Sequence, residues 1–374
     1  MNKERKVEQL SQLEHIKLKS MYSGSKKFQK ANMHIMNKIT NEDKIDYNIT
    51  LKEVEFTPAW LKIIDEVLVN AIDHWVNYPK KVNLISIKNY NDGSIEIINT
   101  GPSIGVSKTK LINNKEVYTP QAISSEFQTG SNLREDKNRI TGGTNGLGLK
   151  LTNAYSDYMV IETLDTKRKK LYRQKFEDGM NKINEPEIYT LNELKNDMNK
   201  LEKAEVKNKW VKGRGFSTFI LNNKEYTRIL FKPDFKLLGF TNFNENLNKK
   251  LFKLIEMRAY QALIFVNGCD IYLNNKKLEL QINSGKSKFY NFSSLFIKGI
   301  HESAENKLIE MKFSNNTSSN AIMKKHDWDI CIGVSDGKFR QVSVINGIWV
   351  YEGGNHIKYI EKILIEELKG LLIY

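Results

Sequence analysis

The chain has 374 residues, 40% of them hydrophobic and 27% charged, with a formal net charge of +14. That length suggests two domains, the hydrophobic share is enough for real cores, and the charge favours an anionic partner such as nucleic acid. Two cysteines outside any C-x-x-C pair, an N-terminus without the apolar core of a signal peptide, and no apolar run near the ~18 residues of a membrane span set aside a disulfide scaffold, a zinc site and a membrane protein; a soluble intracellular protein with reduced thiols is expected.

Residues 1–50 are polar and basic and read as an N-terminal arm, with a patterned piece, LEHIKLKSMYSGSKKF, in which Tyr22, Ser23 and Gly24 form a turn. From Leu61 to Trp75, LKIIDEVLVNAIDHW, the residues Leu61, Ile64, Val67, Leu68, Ala71, Ile72 and Trp75 recur at the spacing of an amphipathic helix. Its other face stacks Glu66, Asn70 and Asp73 along one side. Three oxygen-bearing side chains in that order suit a magnesium ion that keeps several waters and shares its other positions with phosphate oxygens. A solvated helix face explains the same stripe, so the residues downstream have to decide.

Two strand-like segments follow, VNLISIKNY and SIEIINT, with Asn91, Asp92 and Gly93 between them as a hairpin turn. At the end of the second, Asn99 offers an amide where Gly101 lets a ligand approach the backbone, although Asn, Gly and Pro also make an ordinary turn. The polar stretch from Phe127 to Gly143 reads as a long loop of the kind that forms lids. It closes in Gly142, Gly143, Thr144, Asn145, Gly146, Leu147 and Gly148, just before a helix-like LKLTNAYSDY. Glycines there free backbone amides to face an anion at a helix N-terminus, and Lys150 adds a positive charge; the G-K-[ST] ending of a P-loop is missing.

Between residues 158 and 235, MVIETL and TRILFKPDF read as strands, and the charged run from Leu191 to Lys212 as a solvated helix or hairpin insertion. A helix is expected from Asn246 to Leu263, then a strand in IFVNGCDIYLNN. The Ser-, Asn- and Lys-rich stretch from Gln281 to Lys325 marks a domain boundary near its start. Beyond it DWDICIGVS and FRQVSVING read as a hairpin turning at Asp336 and Gly337, and the pattern continues through Gly353 and Gly354 into a helix.

The order of Glu66 and Asn70 on a helix, Asn99-x-Gly101, and Gly143 to Lys150 resembles the nucleotide-binding fold shared by gyrase-type topoisomerases, the large heat-shock chaperone, MutL and histidine kinases. LEHIKLKSMYSGS, ITGGTNGLGLKLTNAYS, YTRILFKPDF and VSVINGIWVYEGGNHIKYI are similar to the arm, phosphate loop, adenine-side strand and transducer start of type IIA DNA topoisomerases. The resemblance implies an α+β fold: a GHKL (Bergerat) ATP-binding sandwich of a mixed sheet and helices over residues 51–280, and a partial α/β transducer domain over 281–374.

It further implies ATP and Mg2+ as cofactors. Glu66 would activate the attacking water and Asn70 hold the metal, with Asp73 in a supporting role. Asn99 would contact the adenine edge beside Gly101, with Thr227 nearby. Ser131 and Asn132 would contact the ribose and phosphates, while Gly143, Asn145, Gly146, Leu147, Gly148 and Lys150 would cradle the triphosphate. The implied function is an ATP-hydrolysing gate that dimerises on ATP, with exchange of the arm, to capture double-stranded DNA for strand passage. Rivals are a non-hydrolysing nucleotide-dependent dimerisation scaffold and an ATPase of the same fold in mismatch repair or chaperoning.

The sequence departs from the family in three places. Ser103 replaces the second glycine after Asn99, Thr144 stands where eukaryotic relatives carry arginine, and no Gln-Thr-Lys triplet occurs before Tyr374. A transducer lysine and a cleavage tyrosine are therefore expected from further domains or another subunit, and weak intrinsic turnover from this chain. Cytoplasm or nucleus is the expected location, and the abundance of Lys, Asn and Ile is compatible with a viral or phage origin.

Overall fold

Strand β3 (Leu84–Asn89) runs antiparallel to β4 (Ile95–Thr100), as the Asn-Asp-Gly turn dictates, and Gly93 in that turn takes a φ of +80°. The computed structural model describes residues 9–41, 44–127, 129, 141–142, 146–196, 224–280, 285–301, 307–314 and 327–372. Among the described residues five elements precede this pair. The first four are helices α1 (Gln12–Leu18) and α2 (Ser20–Ser23), then strands β1 (Gln29–Asn41) and β2 (Lys44–Phe56). Helix α3 (Pro58–Asn77) follows them. After β4 come β5 (Lys108–Lys110), β6 (Glu116–Tyr118), α4 (Thr119–Ser125) and α5 (Gly148–Ala154).

The central sheet is mixed. Its next strands are β7 (Ser156–Asp165), β8 (Lys170–Glu177), β9 (Lys182–Ile183) and β10 (Glu187–Thr190), followed by helix α6 (Leu191–Asn196) and β11 (Tyr226–Pro233). After helix α7 (Glu245–Phe265), β12 (Asp270–Leu273) and β13 (Lys276–Lys277) complete it. Among the described residues the order is β10-β8-β7-β11-β4-β3-β12-β13, with β9 on β8 and only the β3–β12 pair parallel.

Alternation along each strand sends one set of side chains to each face of the sheet. Ile85, Ile87, Ile95, Ile97, Ile161, Ile229 and Phe231 meet the buried stripe of α3 and the inner face of α7 in one core. The opposite face holds Ile98, Leu164, Leu171 and Tyr226 with Leu191 and Leu194 of α6. The charged run expected as solvated thus begins with two buried leucines; residues 197–223 lie outside the described set.

That second face also carries buried charges. Glu162 lies opposite Arg173 on β8 and opposite Arg228 on β11. Arg173 Nε donates to Glu162 at 2.6 Å, Arg228 Nε donates to Glu96 at 2.7 Å, and the Tyr226 hydroxyl donates to Glu162 at 2.7 Å. Burial works against the charge of Glu162, yet Arg173 and Arg228 hold its carboxyl below the usual range.

Residues 9–41 and 44–50, read as part of an arm, form helices and strands that pack on the rest of the chain. A capping box closes α1, with Ser11 accepting from the Glu14 amide at 3.2 Å and Glu14 from the Ser11 amide at 2.8 Å. The Tyr155 hydroxyl, at the end of α5, faces the carbonyls of Ile16 and Lys17 and accepts from Ser23, so residues 11–24 are docked on their own chain. Strands β1 and β2 form a long hairpin that packs between α7 and a helix of the second half, α8 (Lys288–Lys298). There Lys298 pairs with Asp46 at 3.0 Å, His34 meets Phe296 edge to face, and Gly299 lies so near Ile49 that a Cβ would sit 1.9 Å from its carbonyl oxygen.

The remaining elements are β14 (Leu308–Ser314), β15 (Asp327–Gly333), β16 (Val344–Ile345), β17 (Ile348–Trp349) and α9 (Asn355–Leu372). Here one expectation fails. β15 does not pair with the FRQVSVING segment; its partner is β14, and Val344–Ile345 instead turns back at Asn346 and Gly347 onto Ile348–Trp349. The carboxylate of Asp336, expected at a hairpin tip, is bound by Arg340, which keeps this segment a local turn. Among the described residues no helix is long and apolar enough to cross a membrane.

Candidate functional site

Helix α3 begins where Thr57, as N-cap, accepts from the Trp60 amide and Pro58 supplies a preset φ. Along one side it then carries Glu66, Asn70 and Asp73, of which Glu66 lies against Gly148 and Asp73 against Gly142. Glu66 is about one-fifth exposed and is ion-paired with Lys62 one turn earlier. Its carboxylate lies against the first residue of α5: a Cβ on Gly148 would stand 1.9 Å from Glu66 Oε2. A side chain there would displace the Glu66 carboxylate. Asn70 is exposed, whereas Asp73 is buried and accepts the Gly142 amide at 2.8 Å.

The floor of the site is built by β4 and β11. Asn99 lies directly opposite Thr227, both partly exposed on the helix side of the sheet, and Thr227 in turn lies opposite Thr163 of β7. Gly101, at a φ of +107°, packs so closely that a Cβ would meet Val82 at 2.6 Å and His74 Nε2 at 3.1 Å. Burial holds the His74 imidazole below its usual range, so a neutral ring underlies this glycine. The replaced glycine, Ser103, has its own anchor. Its hydroxyl donates to Glu225 at 3.3 Å, and that carboxylate also binds the amide and hydroxyl of Thr166. Thr163 and Asp165 take the amides of Ile104 and Val106, tying the segment after Gly101 to β7.

At the other side Gly146 takes a φ of +59° and Leu147 precedes the helix as its N-cap. Lys150 is buried, at 1% exposure, and its ammonium donates to the carbonyls of Gly146 at 2.6 Å and Thr129 at 2.7 Å. Burial pushes this amine down to about 8. Two of its three N–H groups therefore close the loop itself, a part that the spacing alone did not suggest. Ser131, Asn132, Gly143 and Asn145 lie outside the described residues.

The structure thus brings Glu66 against Gly148, Asp73 onto the Gly142 amide and Lys150 onto the Gly146 carbonyl, and pairs Asn99 with Thr227 on the helix side of the sheet, while Asn70 stays exposed. Among the described residues no three His, Cys, Asp or Glu side chains converge as a metal cluster. The oxygen donors present instead suit a cation that shares its shell with a polyanion and water. Two partners were missed in the sequence. Lys62 was signalled by its spacing of four from Glu66, while Gly142, the donor to Asp73, had no signal beyond being a glycine in the loop.

No protein-family model matches the chain. It is 30% identical over 367 residues to DNA topoisomerase 2 of Candida albicans, covering 96% of this chain and 22% of that protein, so it spans about a fifth of that relative's length. Among solved structures, the ATPase region of Saccharomyces cerevisiae topoisomerase II superposes with a TM-score of 0.74 at 27% identity, over 98% of this chain and 81% of that one. The ATPase and transducer domains of DNA topoisomerase II from Balamuthia mandrillaris give 0.72 at 25% identity, over 96% and 76%. In sequence and in fold, along nearly its whole length, the chain belongs with the ATPase region of the type II DNA topoisomerases.

Proposed function

We propose that this chain is the ATP-binding and hydrolysing gate of a type IIA DNA topoisomerase, with residues 51–280 as the nucleotide domain and 281–374 as part of the transducer. The observation that carries the reading is the placement of Glu66 against Gly148. It sets a carboxylate beside the amides that begin α5, where the terminal phosphates of a bound nucleotide would be held.

In this reading the amides of Gly146, Leu147 and Gly148 bind phosphate oxygens, with Gly143, Asn145, Ser131 and Asn132 completing the cradle and Lys150 fixing its shape. Asn99 and Thr227 take the adenine edge. Glu66, oriented by Lys62, polarises the attacking water in line with the terminal phosphate. Asn70 holds Mg2+ through its amide oxygen without adding negative charge; the ion, when bound, neutralises charge on the triphosphate. Asp73 keeps the Gly142 amide in place.

ATP binding would close two protomers around double-stranded DNA, and hydrolysis would reopen them. The cleavage tyrosine and a transducer lysine would come from further domains or another subunit. The N-terminal arm would be exchanged between the two protomers.

The test follows solution mass and ATP turnover of the purified chain with magnesium, using a non-hydrolysable analogue for the mass. Doubling of mass on the analogue is expected. Glu66→Gln should lose turnover by about a hundredfold or more while binding the analogue within a few-fold of the parent. Equal turnover in parent and variant would remove Glu66 from the chemistry and the reading with it.

A further inference from the structure

Resting on the nucleotide-site reading above, we infer that Arg258 is a positioning residue for that site: it clamps the Asn346–Gly347 turn of the second half against α3 and Gly142. Arg258 is 1% exposed and stands on α7, outside the residues proposed to hold nucleotide. Its guanidinium is fully engaged in three directions. Nε donates to Asp65 at 2.7 Å, Nη1 to Gln261 at 2.9 Å, and Nη2 to the Gly347 carbonyl at 2.8 Å. Asp65 is the neighbour of Glu66 on α3, so one end of this fork holds the helix that carries the carboxylate.

The other end holds the turn, which has no slack. Gly347, at a φ of +80°, is so close to α3 that a Cβ would meet Ile72 Cγ2 at 2.8 Å. A Cβ on Gly142 would stand 2.8 Å from the Asn346 carbonyl oxygen and 2.9 Å from both Ile348 Cγ1 and Val69 Cγ1. Gly142 is thereby wedged between the turn and α3, with its amide on Asp73 at 2.8 Å. Arg258 thus bridges Asp65 of α3 and Gly347 of the turn, and Gly142 packs on Asn346, the neighbouring residue of that turn. The planar fork spreads five donors over three nitrogens at fixed angles, whereas a lysine ammonium carries three donors on one atom and does not reproduce this spread of partners.

The test is Arg258→Lys, which keeps the charge and loses the fork, beside Leu254→Val on the same helix as a control that trims buried volume. Hydrogen exchange of the Gly142 amide, read by fragment-resolved mass spectrometry without nucleotide, should quicken in Arg258→Lys and not in Leu254→Val. Turnover of ATP should fall about tenfold in Arg258→Lys with analogue affinity within about threefold, because the groups are displaced rather than removed. Unchanged exchange at Gly142, quickened exchange with unchanged turnover, or equal effects from Leu254→Val would overturn the inference. Should the parent itself neither bind nor turn over nucleotide, the functional reading fails, and the exchange arm still decides whether Arg258 holds Gly142.

Discussion

At the scale of single residues, Lys150 links the fold to the proposed chemistry. Its amine is held near 8 by burial, below the ordinary lysine value of about 10.4, so it is charged at neutral pH and loses that charge early as pH rises. A bound triphosphate favours the charged form and raises the pKa of the complex. Affinity should then be constant below about pH 8 and fall above it, by up to about tenfold per pH unit. Titrating analogue binding between pH 7 and 9 measures this; a flat profile would mean that Lys150 does not sense the phosphates. Residues of this kind were legible where local spacing carries them. Glu66, Asn70 and Asp73 share a helix face, and Lys62 follows from the same periodicity. Arg258 was not legible, because its partner Asp65 is 193 residues away and both point into the core, where spacing on one helix says nothing of the other.

At the scale of elements, the buried charges across β4, β11, β7 and β8 act as a registration device. Glu96, Arg228, Glu162 and Arg173 meet only if those four strands are correctly aligned, since a slip of one residue would send each to the other face. Arg228→Met should destabilise the fold by about 3–5 kcal/mol, because two carboxylates lose a buried partner. Urea unfolding at pH 7 measures it, and a loss below ~1 kcal/mol would show the network to be dispensable. The Glu162 carboxyl is held below its unfolded value of roughly 4.3, so its contribution is present above that pH and lost as pH falls through the folded value. The strands of this sheet were readable from alternation and turn residues. β14 was not, because its LIEMKFS sits in a stretch whose Ser, Asn and Lys content masked the alternation of Ile309, Met311 and Phe313; β15 was then given the wrong partner.

At the scale of the whole molecule, the net charge of +14 and the proposed clamp make one shared prediction. Binding of duplex DNA in the presence of the ATP analogue should weaken steeply with salt, by about a thousandfold or more between 50 and 200 mM if six or more phosphates are contacted. A salt response near zero in a filter or anisotropy assay would remove DNA from the channel. Composition pointed to an anionic partner without showing where the charge would be used. The packing of the β1–β2 hairpin against α7 and α8 was not legible, because these strands lie in a polar stretch whose burial is supplied by helices far along the chain.

That hairpin also imposes an order on the chain's own synthesis. Its strands are complete at Phe56, while α8, against which β2 rests, is made more than two hundred residues later. At about 5–20 residues per second the ribosome takes roughly ten seconds or longer to supply that helix. Throughout this interval two strands of thirteen residues each stand with unpaired outer edges and no apolar cover from the second half. A nascent chain of this design depends on slow-arriving cover, so the stage most exposed to aggregation falls before the second half of the molecule exists.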